Sequence, residues 1–302
     1  MKMGRIGMVL VTGTALGSSV VMTRLGLHEI PPLPLVALRF TVATVAFLAV
    51  LVLLKRRFPR NRRTLLDIGL VGVTQGLPLL AFTIALQFIS SGVLTMFLAL
   101  IPLFTGLMAH VWLNQERLGF AKAGGLAVAF GGVLLLVATR TTGLTVGASG
   151  PDVRGYGLAL AGALVIAASV VYTRRRLRHV DVVVLTAGQF LAACLVVVPI
   201  ALLVGSVDLA AVSWTGWMAV AYTGMVGSFT AFFLMFTLNR RYGATTSVLP
   251  TYLTPAVSAV LGAVLLGEVI TPPFLAAAGM ILAGVFLASR QATPRLMQAE
   301  AG

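Results

Sequence analysis

The 302-residue sequence predicts an all-α integral membrane protein whose ten transmembrane helices form two inverted five-helix repeats. Three observations carry this. First, 59% of the residues are hydrophobic and only 10% are charged, with a mean hydropathy of +1.02. A soluble domain needs about 25% charged residues to hydrate its surface, so lipid is the main solvent of this chain. Second, the apolar residues fall into ten runs, each long enough to cross about 30 Å of hydrocarbon as a helix. Third, small sequence features in the first half recur in the same order in the second.

The ten spans are predicted at about 6–23, 33–54, 65–86, 92–113, 118–138, 155–173, 182–204, 213–236, 246–267 and 271–289. They are helices rather than barrel strands because the runs are continuously apolar instead of alternating, and a helix satisfies its own backbone inside lipid. The first span follows Lys2 and Arg5 and no small-residue cleavage site ends it, so it reads as a retained helix and not a signal peptide. Gly13 and Gly17 give it a face on which another helix packs closely. Pro78, Pro102, Pro250 and Pro255 interrupt backbone bonding in spans three, four and nine. Gly125, Ala129 and Gly132 in span five, with Gly279 and Ala283 in span ten, offer small-residue faces for packing within the monomer or between monomers, which leaves a homodimer open. Trp112, Trp214 and Trp217 fall at span ends, as aromatic belts do.

Charge sets the orientation. With the N-terminus inside, eighteen of the 22 Lys and Arg residues lie on the cytoplasmic side, and only Arg24, Arg140 and Arg154 lie outside, with Arg39 inside a span. The positive-inside bias places both termini in the cytoplasm. The same distribution removes a nucleic-acid partner, because the basic residues flank helices on one membrane side instead of forming a stripe with stacking aromatics. The bilayer and a small-molecule solute are the expected partners.

SVVMTR, at Ser19 to Arg24, recurs as SVVYTR at Ser169 to Arg174, an offset of 150. At that offset Ala37, Arg39 and Phe40 meet Ala187, Gln189 and Phe190; further on Gly72 meets Gly224, Pro102 meets Pro255, Glu116 meets Glu268 and Gly131 meets Gly284. The repeats are read as 6–138 and 155–289. Each has an odd number of helices, so the second enters the membrane from the opposite side, an architecture of secondary transporters.

Two stretches, GSSVVMTRLGLHEIPPLPLVALRF at Gly17 to Phe40 and FTLNRRYGATTSVLPTYLTPAVSAVLGAVLLGEVITPPF at Phe236 to Phe274, resemble the two EamA domains of the drug/metabolite transporter superfamily. The resemblance covers nearly the whole chain. It implies a ten-helix inner-membrane carrier, often an exporter of amino acids or related metabolites. Two positions depart from the pattern. Leu16 stands before Gly17 where relatives commonly carry Trp, and LNQER at Leu113 to Arg117 replaces Leu-Gly-Glu-Arg.

The candidate cavity residues are Ser19, Arg39, Gln75, Tyr172, Gln189, Tyr222 and Tyr252, the polar groups deep in spans. Arg39 reads as an anchor for a substrate carboxylate or as a structural cation that snorkels or caps a neighbouring helix; its neutral counterpart Gln189 and its position near one span end favour the structural reading. The amides, hydroxyls and phenols read equally as interhelical glue. Glu116 and Glu268, at the ends of spans four and nine on opposite faces, are candidates for alternate gating or for helix-end pairing. No Asp or Glu lies in the middle third of any span, so a carboxylate proton relay is not expected. Enzyme chemistry is not expected either: the eight acids are dispersed, and no P-loop, HExxH or GxSxG string occurs. One cysteine, Cys194, excludes a disulfide framework, and no metal or cofactor is expected. A facilitative or weakly coupled exporter working by alternating access is the expected function. A channel or a non-transporting membrane partner is the alternative.

Overall fold

The computed structural model describes residues 4–113, 120–144, 153–204 and 207–289. All ten predicted spans are helical there. The first three are α1 (Arg5–Gly26), α2 (Pro32–Leu53) and α3 (Arg62–Ala85). The fourth is broken into α4 (Ser91–Ala99) and α5 (Ile101–Leu113), and the fifth is α6 (Phe120–Ala138). In the second half α7 (Val153–Arg176) and α8 (Val182–Val204) are continuous. The eighth span runs as α9 (Trp214–Tyr222), a π-helical stretch (Thr223–Thr230) and α10 (Ala231–Tyr242). Then come α11 (Ala244–Leu266) and α12 (Pro272–Ser289). Eight spans are long and apolar enough to cross a membrane by length and composition; the apolar stretches in spans five and ten are shorter.

Local chemistry explains the boundaries. Ser90 caps α4 by accepting from the Val93 amide at 3.1 Å, Asn61 caps α3 through the Arg63 amide, and Ser213 caps α9. Pro32 opens α2, and Pro102 sits in the first turn of α5, where its missing N–H is least harmful, so the fourth span breaks at Leu100. Gly267 ends α11 with φ 64°, a left-handed conformation that favours glycine. The outer surface is apolar: Val52, Leu53, Leu202, Leu203 and Val204 are exposed, as lipid-facing residues are.

Nearly all the strong helix pairings cross between the halves and come in symmetric sets. α2 packs on α8, α6 on α12, and α4 on α11. α1 packs on α11 and on all three parts of the eighth span; its repeat counterpart α7 packs on α4, α5 and α3. Close approaches obey the same symmetry. Gly72 of α3 lies against the Gln189 carbonyl of α8, while Gly224 of the π stretch lies against the Arg39 carbonyl of α2. Gly13 and Gly17 seat α1 on the α11 backbone, where a side chain would meet Pro250 O and Thr254 O. Gly132 meets the Ala277 carbonyl and Gly284 meets Gly125 and Ala129, so the small-residue face of α6 is used within the chain, whereas Gly279 and Ala283 of α12 are exposed and do not pack on α6. With five spans per half, the halves thread in opposite directions.

Candidate functional site

A cavity of about 930 Å³ lies between the two halves. It reaches from Thr23, Leu86 and Leu94 at one end to Arg174, Asn239 and Ser247 at the other. The second end belongs to the face that carries the basic connections, Lys55 to Arg63, Arg174 to Arg178 and Arg240 to Arg241, and is here called the basic face. Arg174 and Asn239 are exposed there. At the other end Thr23, Ile30, Ile89, Ser90, Ser91 and Leu94 are all buried, so the cavity is closed on that face.

The walls are mostly apolar, with Phe40, Phe82, Phe190 and Phe232 supplying aromatic surface. The polar groups converge around Arg39, toward the closed end. Arg39 projects from α2, about 10 Å along the helix from its start, given a rise of about 1.5 Å per residue. It is 8% exposed and so does not snorkel to an interface. Its Nε donates to Ser228 Oγ at 2.8 Å and its Nη1 donates to Thr23 Oγ1 at 3.2 Å. Thr23 in turn donates to the Ser19 carbonyl, which leaves its lone pairs for the guanidinium. Ser228 is held by the π-helical stretch, and such bulges occur frequently at functional sites. Gly227, beside it, has no room for a side chain: a Cβ there would overlap Ser19 Oγ and lie 3.5 Å from Arg39 Nη2. Ser19 Oγ and Tyr252 Oη are buried without a hydrogen-bond partner. Gln75 and Gln189 also line the cavity.

Five of the seven predicted cavity residues therefore come together: Ser19, Arg39, Gln75, Gln189 and Tyr252. Two do not. Tyr172 lies on the α7 face that meets α3 near the basic face, where its hydroxyl donates to Asp67 Oδ1 at 2.7 Å. Tyr222 turns toward α1 and its hydroxyl pairs with Ser18 Oγ at 2.8 Å. Each phenol takes the nearest polar partner, and for both that partner stands on another helix. Ser228, Asn239 and Arg174 are cavity residues the sequence did not single out. The Gly224–Gly227–Ser228 cluster is the signal that could have found the first.

Glu268 forms the closed end. Because Gly267 turns the chain back, the Glu268 amide donates to the Gly262 carbonyl and its carboxylate folds over α11 at a glycine that leaves space for it. Arg24 Nη1 donates to Glu268 Oε1 at 2.8 Å. The Ser91 amide and hydroxyl donate to the same carboxylate at 2.8 and 2.7 Å, so Glu268 also neutralises the α4 N-terminus. One carboxylate thus ties α1, α4 and α11 together. Ser90 donates its amide to Thr142 O, and Val269 donates to Gly143 O, adding the connection after α6. A second clasp sits outside the spans, where Glu29 accepts from the amide and hydroxyl of Ser213, both at 2.7 Å. Those bonds hold the Glu29 carboxyl below its ordinary value of 4.5. Glu116, the repeat counterpart of Glu268, lies outside the described residues.

Fold and cavity together define a multi-pass membrane protein built from inverted repeats around a central chamber, the class to which secondary transporters belong. The chain belongs to the EamA-like transporter family, whose sequence model matches twice, at residues 4–138 and 153–290. It is similar to an uncharacterized inner membrane transporter, YedA, of Escherichia coli K12, at 29% identity over 90% of this chain and 86% of that protein. It is 28% identical to a probable amino-acid metabolite efflux pump of Salmonella typhimurium, over 90% of each chain. An uncharacterized transporter, YoaV, of Bacillus subtilis matches at 21% over 90% of this chain and 91% of its own length. One solved crystal structure superposes with a TM-score of 0.67 at 22% identity, covering 95% of this chain and 98% of the other, which supports the fold.

Proposed function

We propose that this transporter moves amino acids or related small metabolites out of the cell across the inner membrane by alternating access. The observation that carries the reading is the cavity between the two repeats, open at the basic face and closed at the other. Inverted repeats explain why: exchanging the conformations of the two halves turns a chamber open on one side into one open on the other. The basic loops support a cytoplasmic location for that face and for both termini. The structure is then the inward-open state, with residues 6–138 and 155–289 as the exchanging repeats. The similarity to a probable amino-acid metabolite efflux pump and to an inner membrane transporter supports the solute class, the direction and the membrane. Ser19, Arg39, Gln75, Gln189 and Tyr252 contact the solute, and Glu268 takes part in closing the outer end.

Among the described residues no carboxylate lines the cavity. The absence of a titrating acid there supports transport driven without an obligatory proton. Counterflow in proteoliposomes tests the reading. Saturable uptake accelerated by solute on the opposite side is expected, with activity retained when the pH gradient is collapsed. Linear, non-saturating flux without acceleration would identify a channel instead, and strict dependence on a pH gradient would contradict uncoupled transport.

A further inference from the structure

We infer that the transported solute is a monocarboxylate with an apolar body and no free ammonium group, its carboxylate held by Arg39. This rests on the transport reading and narrows it. Arg39 is a permanent cation buried within the bundle. Its hydrogen-bond partners among the described residues are neutral hydroxyls, Ser228 Oγ and Thr23 Oγ1, and none of the ion pairs among those residues includes it. A charge in such a place is costly unless an opposite charge joins it, and the occupant of the cavity is what can supply one. The geometry leaves a place for it. With Nε and Nη1 engaged by hydroxyls, Nη2 is left for a ligand; Arg39, Ser19 and Gly227 all line the cavity, and Ser19 Oγ is without a partner. A carboxylate oxygen between Nη2 and Ser19 Oγ satisfies both groups, and charge-assisted bonds of this kind are the strong ones.

The rest of the chamber decides the remainder of the molecule. Phe40, Phe82, Phe190 and Phe232 surround space that suits an apolar or aromatic body. Among the described residues no Asp or Glu lines the cavity, while a second cation, Arg174, stands at its mouth. An α-ammonium would enter a chamber that has cations and no anion, so a zwitterionic amino acid is discriminated against relative to the same skeleton without the amine. A 2-oxo acid, an N-acylated amino acid or a simple aryl-alkanoate fits. A monoanion also makes export downhill without a proton, because the interior-negative membrane potential drives negative charge outward.

The test uses four probes with one ring and one chain length: 3-phenylpropionate, 3-phenylpropanamide, phenylalanine and phenethylamine. Their affinities are measured on the purified full chain by calorimetry. 3-Phenylpropionate is expected to bind at least about tenfold more tightly than phenylalanine or the amide, with phenethylamine weakest. Arg39→Gln should reduce the affinity for 3-phenylpropionate to that for the amide, and Arg39→Lys should recover part of it. In proteoliposomes, a tenfold potassium gradient clamped with valinomycin should support about tenfold accumulation of 3-phenylpropionate and none of the amide. Equal affinity for phenylalanine and 3-phenylpropionate in the unmodified protein overturns the proposal, as does equal affinity for the amide or no binding of the anion. These comparisons need no variant, so a failure of Arg39→Gln to fold does not remove the test. Selective binding of the anion without counterflow of any solute would leave the site standing and sink the transport reading. Counterflow of other solutes without anion selectivity would do the reverse.

Discussion

Glu268→Gln should loosen the closed face and raise the population of the state open there. In the structure the Glu268 carboxylate holds Arg24 at 2.8 Å and the Ser91 amide and hydroxyl at 2.8 and 2.7 Å, joining α1, α4 and α11. Glutamine can still accept from Ser91, but it loses the ion pair with a half-buried guanidinium and the charge on two hydrogen bonds. A hydrogen bond to a charged group contributes about 1.5–3 kcal/mol, and these contacts must break when the face opens, so about 2 kcal/mol of bias is removed. At 1.4 kcal/mol per factor of ten, the opened state gains roughly 30-fold in relative population. The readout is a cysteine at Leu94, a buried cavity-lining residue just beneath the closed end, in a Cys194→Ser background. An impermeant maleimide added on the side opposite the basic loops should label it roughly 30-fold faster in the Glu268→Gln protein. Arg24→Gln should act similarly, and the double variant should match either single one because the same pair is lost once. An unchanged labelling rate in a folded Glu268→Gln protein would refute the reasoning and make the clasp a purely static one.

Other expectations are narrower. Gly227→Ala forces a methyl group into Ser19 Oγ and should cost about 1–3 kcal/mol of thermal stability by overpacking, with loss of solute binding. Tyr252→Phe removes a buried hydroxyl that has no partner, so unfolding should be unchanged or slightly delayed while the KM for solute rises. Tyr222→Phe removes only a bond to Ser18 on α1 and should change stability by about 1 kcal/mol or less with KM unchanged. Glu29 has its pKa depressed by Ser213, so its contribution is complete above the ordinary carboxylate value of 4.5 and is lost as pH falls below it through the lower folded value. Hydrogen exchange at residues 213–216 should accelerate in that acid range for the unmodified protein, and Glu29→Gln should remove the pH dependence.

The spans, their order and the inverted repeat were all legible in the sequence, because each depends on properties that one chain segment carries by itself. Twenty apolar residues in a row have no stable place but lipid, and an odd helix count per repeat forces inversion. The packing faces of Gly13 and Gly17 were readable for the same reason. Which polar side chain meets the chamber was not. These helices are apolar on every side, so no amphipathic stripe reveals how each is rotated about its axis, and only packing against neighbours fixes that rotation. Hence Gln75 and Gln189 reach the cavity while Tyr172 and Tyr222 turn to Asp67 and Ser18. The Arg24–Glu268 clasp joins residues 244 positions apart, and the π-helical stretch that sets Ser228 against Arg39 is a local irregularity that hydropathy does not encode. The amino acids alone determined a lipid-embedded inverted repeat. Tertiary packing decided where a buried cation meets open space, because that depends on distances between helices that no single helix specifies.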